Sequence, residues 1–157
     1  MASGPPTPIR VFVDSSVLIA AAISPRGAGR ELLHQGFAGR CQLSISSLVL
    51  TETERSLTDK APAALPNFAI FRASLLTTLV NPSRPAFLRV ARVVVAKDAP
   101  IVAAAVRARA AYLATYDRKD LLNHRQVIQE RFGVIAAAPD EILGVLRRVQ
   151  QDVGMST

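Results

Sequence analysis

The sequence contains almost no cysteine, and this excludes several kinds of scaffold and site. Cys41 is the single cysteine among 157 residues, so neither an intrachain disulfide nor a cysteine-based zinc cluster can form. No apolar run approaches the ~18 residues of a membrane span. The N-terminus also lacks the basic region and apolar stretch of a signal peptide. We therefore expect a soluble protein of the reducing cytoplasm.

Aromatic residues are scarce as well. They make up 5% of the chain and tryptophan is absent, whereas half of the residues are hydrophobic and a fifth are charged. A core of alanine, valine and leucine suits helices packed on a buried parallel sheet. A chain of 157 residues is long enough for one domain with a core and too short for two.

Acidic residues are outnumbered by basic ones, 12 to 19, which gives a formal net charge of +7. Sixteen of the 19 cations are arginines, whose planar guanidinium binds phosphate or carboxylate with two hydrogen bonds. No acid lies between Lys60 and Lys97. This segment predicts contacts with an RNA backbone, or with an acidic protein partner, because either would complement its charge. The residues we expect to contact RNA are Arg84, Arg89, Arg92 and Lys97.

Strand-like and helix-like segments alternate along the chain, which predicts an α/β domain with a parallel central sheet. Residues 1–8 are expected to form a disordered leader, 9–150 the domain and 151–157 a flexible tail. The predicted strands are Ile9–Val13, Gln42–Ser46, Tyr112–Tyr116 and Val134–Ala137. The predicted helices are Val17–Ile23, Ala28–Phe37, one after Ser46 to about Thr58, Asn67–Leu76, one starting at Asp98, and Pro139–Val149. Residues 60–66 are predicted to be a loop, 77–96 a short strand and an ill-defined helix, and 118–122 a helical turn.

Four acidic residues recur where these elements begin or end. Asp14 and Asp117 follow predicted strands, Asp98 opens a predicted helix, and Glu52 lies inside another. Strand ends and neighbouring helix starts form the ligand crevice of open α/β sheets. Carboxylates gathered there need a compensating charge, which a divalent metal supplies. Each acid also has an ordinary alternative: a helix N-cap for Asp14 and Asp98, a turn for Asp117, and a solvated helix position for Glu52.

Four sequence blocks contain these acids: Val11–Ile19, Ser46–Leu57, Lys97–Ala105 and Tyr112–Leu122. A further segment, Val134–Ile135 followed by Pro139–Leu143, ends the pattern. Together they resemble the PIN-domain nucleases and in particular their VapC-like group. Ser15 and Ser16 replace the usual Thr and Asn of the first block, and Ser47 stands where Pro is common. The resemblance extends from Ile9 to about Leu146. It implies a PIN-like three-layer fold with a central, mostly parallel sheet flanked by helices.

The resemblance also implies a set of site residues. The catalytic and metal-binding acids would be Asp14, Glu52, Asp98 and Asp117. Glu54 is an alternative to Glu52, since it shares a helix face with Leu50 and Leu57. Asp120 is either an auxiliary ligand or a solvated turn residue. The residues expected to support the acids by hydrogen bonds are Ser15, Ser16 and Thr115. The expected cofactor is Mg²⁺ or Mn²⁺, because these ions prefer oxygen ligands.

The function implied is that of a metal-dependent endoribonuclease hydrolysing RNA phosphodiester bonds, as the toxin of a toxin–antitoxin pair. Its expected partners are an RNA substrate, an antitoxin protein, and a second copy of the chain in a homodimer or larger oligomer. One rival is a catalytically silent PIN-like domain that binds RNA or protein. Another is a receiver domain with a phospho-accepting aspartate. The first predicted strand is not followed by paired acids, and this argues against a receiver domain. His34 and His124 have no role in this chemistry and are expected to be structural or surface residues.

Overall fold

The computed structural model of the protein describes residues 7–155. Its central sheet contains four strands: β1 (Arg10–Val13), β2 (Gln42–Ser44), β3 (Tyr112–Ala114) and β4 (Ile135–Ala137). The strand order is β2-β1-β3-β4, and every neighbouring pair is parallel. Each strand is shorter than predicted by one or two residues. The prediction of an α/β fold with a parallel sheet is confirmed.

Eight α-helices flank the sheet within residues 7–155, in a three-layer arrangement. They are α1 (Ser15–Ile23), α2 (Ala28–Phe37), α3 (Ser47–Lys60), α4 (Leu65–Leu75), α5 (Arg84–Ala91), α6 (Ala99–Arg107), α7 (Arg125–Phe132) and α8 (Pro139–Met155). None of the helices in these residues is long and apolar enough to span a membrane.

Small aliphatic residues fill the core between the sheet and its helices. Val11, Phe12 and Val13 of β1 are fully buried, as expected for a strand covered on both faces. Helix α6 packs against β1 and β3. Its three consecutive alanines, residues 103–105, are also fully buried. Because alanine has only a methyl side chain, the helix approaches the sheet closely enough to leave little empty space.

The structure corrects three predictions of secondary structure. Residues 60–66 are not a loop, because α3 continues to Lys60, a 3₁₀ turn covers Pro62–Ala64, and α4 begins at Leu65. Proline is compatible with the first turn of a helix, so Pro62 and Pro66 do not interrupt this region. Helix α7 was not predicted. Helix α8 continues beyond Val149 to Met155.

The segment between α4 and α6 contains less strand than predicted. Leu79 forms a single parallel bridge with Ile45, and helix α5 follows, its first turn capped by the Ser83 hydroxyl. The predicted domain limits stay a prediction. Residues 151–155 of the predicted tail continue α8, whereas residues 1–6 of the predicted leader and residues 156–157 lie outside the described part.

The strand order determines where a site can form. β2 lies on one side of β1 and β3 on the other, so the direction in which the chain winds changes between β1 and β3. In open α/β sheets, ligands bind at the carboxyl ends of the strands at such a switch point. Asp14 directly follows β1 and Thr115 directly follows β3.

Candidate active site

Sheet register brings Asp14 and Thr115 together. Val13 pairs with Ala114, and the Asp14 N–H donates to the carbonyl of Ala114 at 3.0 Å. Asp14 and Thr115, which follow this pair, therefore lie side by side at the end of the two strands. The Thr115 hydroxyl donates to Oδ2 of Asp14 at 2.8 Å, and both residues are buried. This contact joins positions 101 residues apart in sequence.

Two further donors complete the environment of Asp14. Its Oδ1 accepts from the Ser15 N–H at 2.8 Å, so Asp14 is the N-cap of α1, and its Oδ2 also accepts from the Ser16 hydroxyl at 2.9 Å. The Ser16 oxygen in turn accepts from the Tyr116 N–H at 3.0 Å. The N-cap role that the sequence offered as the ordinary alternative for Asp14 is therefore present. Ser16 therefore links the end of β1 to the segment after β3.

Helix α3 directs Glu52 toward this network. The Ser15 hydroxyl donates to Oε2 of Glu52 at 3.1 Å. Glu52 is half-buried, whereas Glu54 is exposed. Side chains two positions apart on a helix, such as those of Glu52 and Glu54, project in different directions. Of the two candidates, the structure therefore brings Glu52, and not Glu54, to Ser15.

Three carboxylates lie close enough to share a cation. One oxygen from each of Asp98, Asp117 and Asp120 lies within 4.8 Å of an oxygen from each of the other two. We call these residues the carboxylate triad. The Asp120 N–H donates to Oδ1 of Asp117 at 3.0 Å, and the Asp117 N–H donates to the Thr115 hydroxyl at 3.0 Å. Asp14 and Glu52 lie outside this group.

Asp98 is the least satisfied member of the triad. It is only 8% exposed, and its Oδ2 has no hydrogen-bond partner among the described residues. Its side chain forms no capping bond at the start of α6, unlike an ordinary N-cap residue. Burial raises the pKa of Asp98 from 3.8 to about 6, with the Asp117 charge adding to the effect and the Lys97 charge opposing it. Asp98 forms no ion pair with a described residue, and the Lys97 charge does not cancel the effect of burial.

The ammonium of Lys97 lies beside the triad. Its Nζ is 3.0 Å from Oδ2 of Asp120, and this contact raises the pKa of Lys97. Lys97 was predicted to contact RNA, and its ion pair with Asp120 was not predicted. The available signal was its position directly before Asp98. The other predicted RNA contacts, Arg84, Arg89 and Arg92, are exposed on or just after α5, which packs against α6.

The donor set of the triad fits a small hard cation. All three side chains offer carboxylate oxygens, and Mg²⁺ and Mn²⁺ prefer oxygen ligands. The Oδ2 of Asp98 is a buried acceptor that receives no hydrogen bond from a described residue. A cation at this position would offset the burial and the repulsion by Asp117 that together raise the pKa of Asp98. The residues present therefore fit a divalent metal.

Comparison with known proteins agrees with the geometry. A sequence model of a protein family, described as PIN domain, matches residues 10–119, well over half of the chain. This chain belongs to the PIN-domain family. The predicted family and fold are confirmed, whereas the VapC-like subtype stays a prediction. No curated protein matches the chain. The matched region of the PIN domain includes Asp14, Glu52, Asp98 and Asp117, and ends one residue before Asp120.

Proposed function

We propose that this PIN domain is a Mg²⁺- or Mn²⁺-dependent endoribonuclease. The observation that carries the proposal is the carboxylate triad at the switch point of a parallel sheet, with a buried and unpartnered oxygen on Asp98. PIN domains are typically metal-dependent nucleases, which supports the same chemistry. A bound metal would polarise a phosphoryl oxygen and lower the pKa of the water that attacks phosphorus.

The chain's own residues have distinct roles in this proposal. The metal ligands are Asp98, Asp117 and Asp120, which already lie together. Asp14 holds the ends of β1 and β3 through three accepted hydrogen bonds, and its charge contributes to the raised pKa of Asp98. Glu52 is held by Ser15 at the outer side of this network. Asp14 therefore adds to the negative charge around the triad, and Glu52 joins the hydrogen-bond network of Asp14 through Ser15.

RNA is the proposed substrate because of the charge around the site. The chain carries a formal net charge of +7. The guanidinium groups of Arg84, Arg89 and Arg92 form no ion pair with a described residue, so they are free to bind phosphates. Phosphate contacts of this kind position a nucleic acid without reading its sequence. Cleavage within a chain requires no terminal pocket, which fits a site formed at the open ends of strands.

We further propose that the nuclease is the toxin of a toxin–antitoxin pair in the cytoplasm. Support comes from the resemblance of the four sequence blocks to the VapC-like group and from the acid-free segment 60–97, which would complement an acidic antitoxin. Assembly as a homodimer or higher oligomer is part of the same proposal. Co-expression with the product of a neighbouring gene tests it: growth arrest relieved by that protein is the expected result.

Cleavage of a defined RNA panel tests the enzymatic proposal. Wild-type protein with Mn²⁺ should produce discrete fragments, and Asp98→Asn should abolish them while the circular dichroism spectrum stays native. Asp59→Asn is the matched control, because it removes one carboxylate from an exposed position of α3. Binding of RNA without cleavage by metal-loaded wild type would instead identify a catalytically silent PIN domain. Cleavage by pure, folded Asp98→Asn protein would refute the site assignment.

A further inference from the structure

A cavity adjoins the carboxylate site on the side of β4 and has no part in the chemistry described so far. Its volume is about 400 Å³. The polar and aromatic side chains that line it are Tyr116, Arg118, Asn123, Arg125, Asp140 and Glu141. This space is larger than a nucleobase. The mixture of one aromatic ring, two cations, an amide and two carboxylates matches a planar, polar ligand better than an apolar one.

Tyr116 connects this cavity to the site. It lies between Thr115 and Asp117, and its backbone N–H donates to the Ser16 hydroxyl at 3.0 Å. Its backbone is therefore held by the same network that positions Asp14. The ring is 40% exposed. Burial raises the pKa of its phenol, the Asp140 charge adds to the rise, and a backbone hydrogen bond with Gly29 opposes it. Tyr116 and Asp140 both line the cavity.

Two other lining residues, Leu122 and Asn123, are attached to the site through the backbone. The Leu122 N–H donates to the Asp117 carbonyl at 2.8 Å, and the Asn123 N–H donates to the Arg118 carbonyl at 2.9 Å. A ligand in the cavity therefore touches the same turn that carries a triad carboxylate.

The cavity's charges are not all available to a ligand. Arg125 is paired with Glu141 at 3.1 Å. Arg118 and Asp140 form no ion pair with a described residue. One free cation and one free carboxylate therefore remain. Arg118 suits a phosphate oxygen, and a carboxylate accepts hydrogen bonds from the pairing edge of a base.

We propose that this cavity binds one unpaired nucleobase of the RNA substrate next to the cleaved bond; the proposal rests on the proposed nuclease function. The base stacks on the Tyr116 ring, Arg118 contacts the adjoining phosphate, and Asp140 accepts from the base edge. Guanine is the best occupant, because its two adjacent N–H donors match the two oxygens of a carboxylate. Aromatic stacking and edge hydrogen bonds are the general means by which proteins read single-stranded RNA.

The first test measures binding without cleavage. The affinity of metal-free protein for short RNAs that differ at one base is measured by fluorescence anisotropy. We expect Tyr116→Leu to weaken binding roughly tenfold, and Tyr116→Phe to retain it, because stacking needs the ring and not the hydroxyl. Tyr112→Leu is the matched control: the chain has only two tyrosines, and Tyr112 begins β3 at the opposite end of the strand. Equal affinities for wild type and Tyr116→Leu would overturn the proposal.

The second test concerns base choice and also covers the case in which Tyr116→Leu does not fold. Asp140→Asn should reduce the preference for guanine while leaving affinity for other bases within about twofold. Cleavage maps with Mn²⁺ should show the same loss of preference. Wild type that binds guanine through Tyr116 but does not cleave would refute the nuclease function and support the cavity. Cleavage with maps unaffected by either variant would refute the cavity and support the nuclease.

Discussion

Replacing Asp98 with asparagine removes a buried charge that the described fold leaves without a hydrogen-bond partner on Oδ2. Asparagine preserves the shape of the side chain and removes its ionisation. The pKa of Asp98 is raised from 3.8 to about 6, a difference that corresponds to about 3 kcal/mol between the two protonation states. Screening by solvent at the open side of the site reduces this to about 1–2 kcal/mol. Asp98→Asn should therefore stabilise the metal-free protein by that amount near neutral pH.

The pH dependence follows from the direction of the pKa change. Asp98 has a higher pKa in the folded state than in the unfolded chain, so the folded state binds a proton more tightly. Below pH 3.8 the Asp98 carboxyl is protonated in both the folded and the unfolded state, so it does not lower the free energy of unfolding. As pH rises toward 6, the unfolded chain ionises first and wild type loses stability relative to the variant. Above pH 6 the difference is complete and constant.

Urea unfolding in the presence of EDTA measures this difference at several pH values between about 4 and 7.5. The advantage of Asp98→Asn should be small at the acidic end and largest at neutral pH, whereas Asp59→Asn should show no such trend, because Asp59 is exposed. Saturating Mn²⁺ should reverse the order, since a ligand at a hundredfold excess over its Kd stabilises the native state by ~2.7 kcal/mol. A variant that is less stable than wild type at neutral pH without metal would refute the reasoning.

Two further predictions concern the cations. Lys97→Met should tighten Mn²⁺ binding roughly two- to fivefold by calorimetry, because it removes an exposed ammonium that competes for a triad carboxylate; weaker binding would show that the lysine assists the metal. Replacing Arg89 and Arg92 with glutamine should weaken binding of every RNA similarly and reduce the slope of log affinity against log salt by about 2. The same change at Arg147 and Arg148, exposed on α8, is the control, and equal slopes for both double variants would exclude the α5 arginines from RNA binding.

The parallel sheet and the position of Asp14 were predictable because each rests on a local pattern. A buried strand followed by an acid, as in residues 9–14, places that acid at the carboxyl edge wherever the strand lies in the sheet. Helix α7 was not predictable from periodicity, since Ile128 is its one fully buried residue. Its C-terminal signal was nevertheless present. Gly133 follows the helix with φ of +73°, the left-handed conformation in which glycine commonly ends helices.

The composition of the carboxylate triad was harder to foresee than its location. Asp120 was predicted to be either an auxiliary ligand or a solvated turn residue. In the structure that turn folds back on Asp117 through the Asp120 N–H, and this contact brings the two carboxylates together. Lys97 follows the same logic, since its ion pair depends on a residue 23 positions later. Contacts of this kind arise from tertiary folding and have no periodic signature in sequence.

Substitutions of Asp14 and Asp98 differ in how clearly a loss of cleavage would indicate a catalytic role. Asp14 accepts three hydrogen bonds that join β1, α1 and the end of β3, so its replacement disturbs the local fold as well as the charge. Loss of cleavage in Asp14→Asn therefore has two explanations. Asp98 has an unpartnered oxygen and no capping role, so its replacement should relieve the fold while removing a ligand. If Asp98→Asn is more stable than wild type and no longer cleaves RNA, its loss of activity cannot come from a damaged fold. Asp98 is therefore the position that best distinguishes a catalytic role from a structural one.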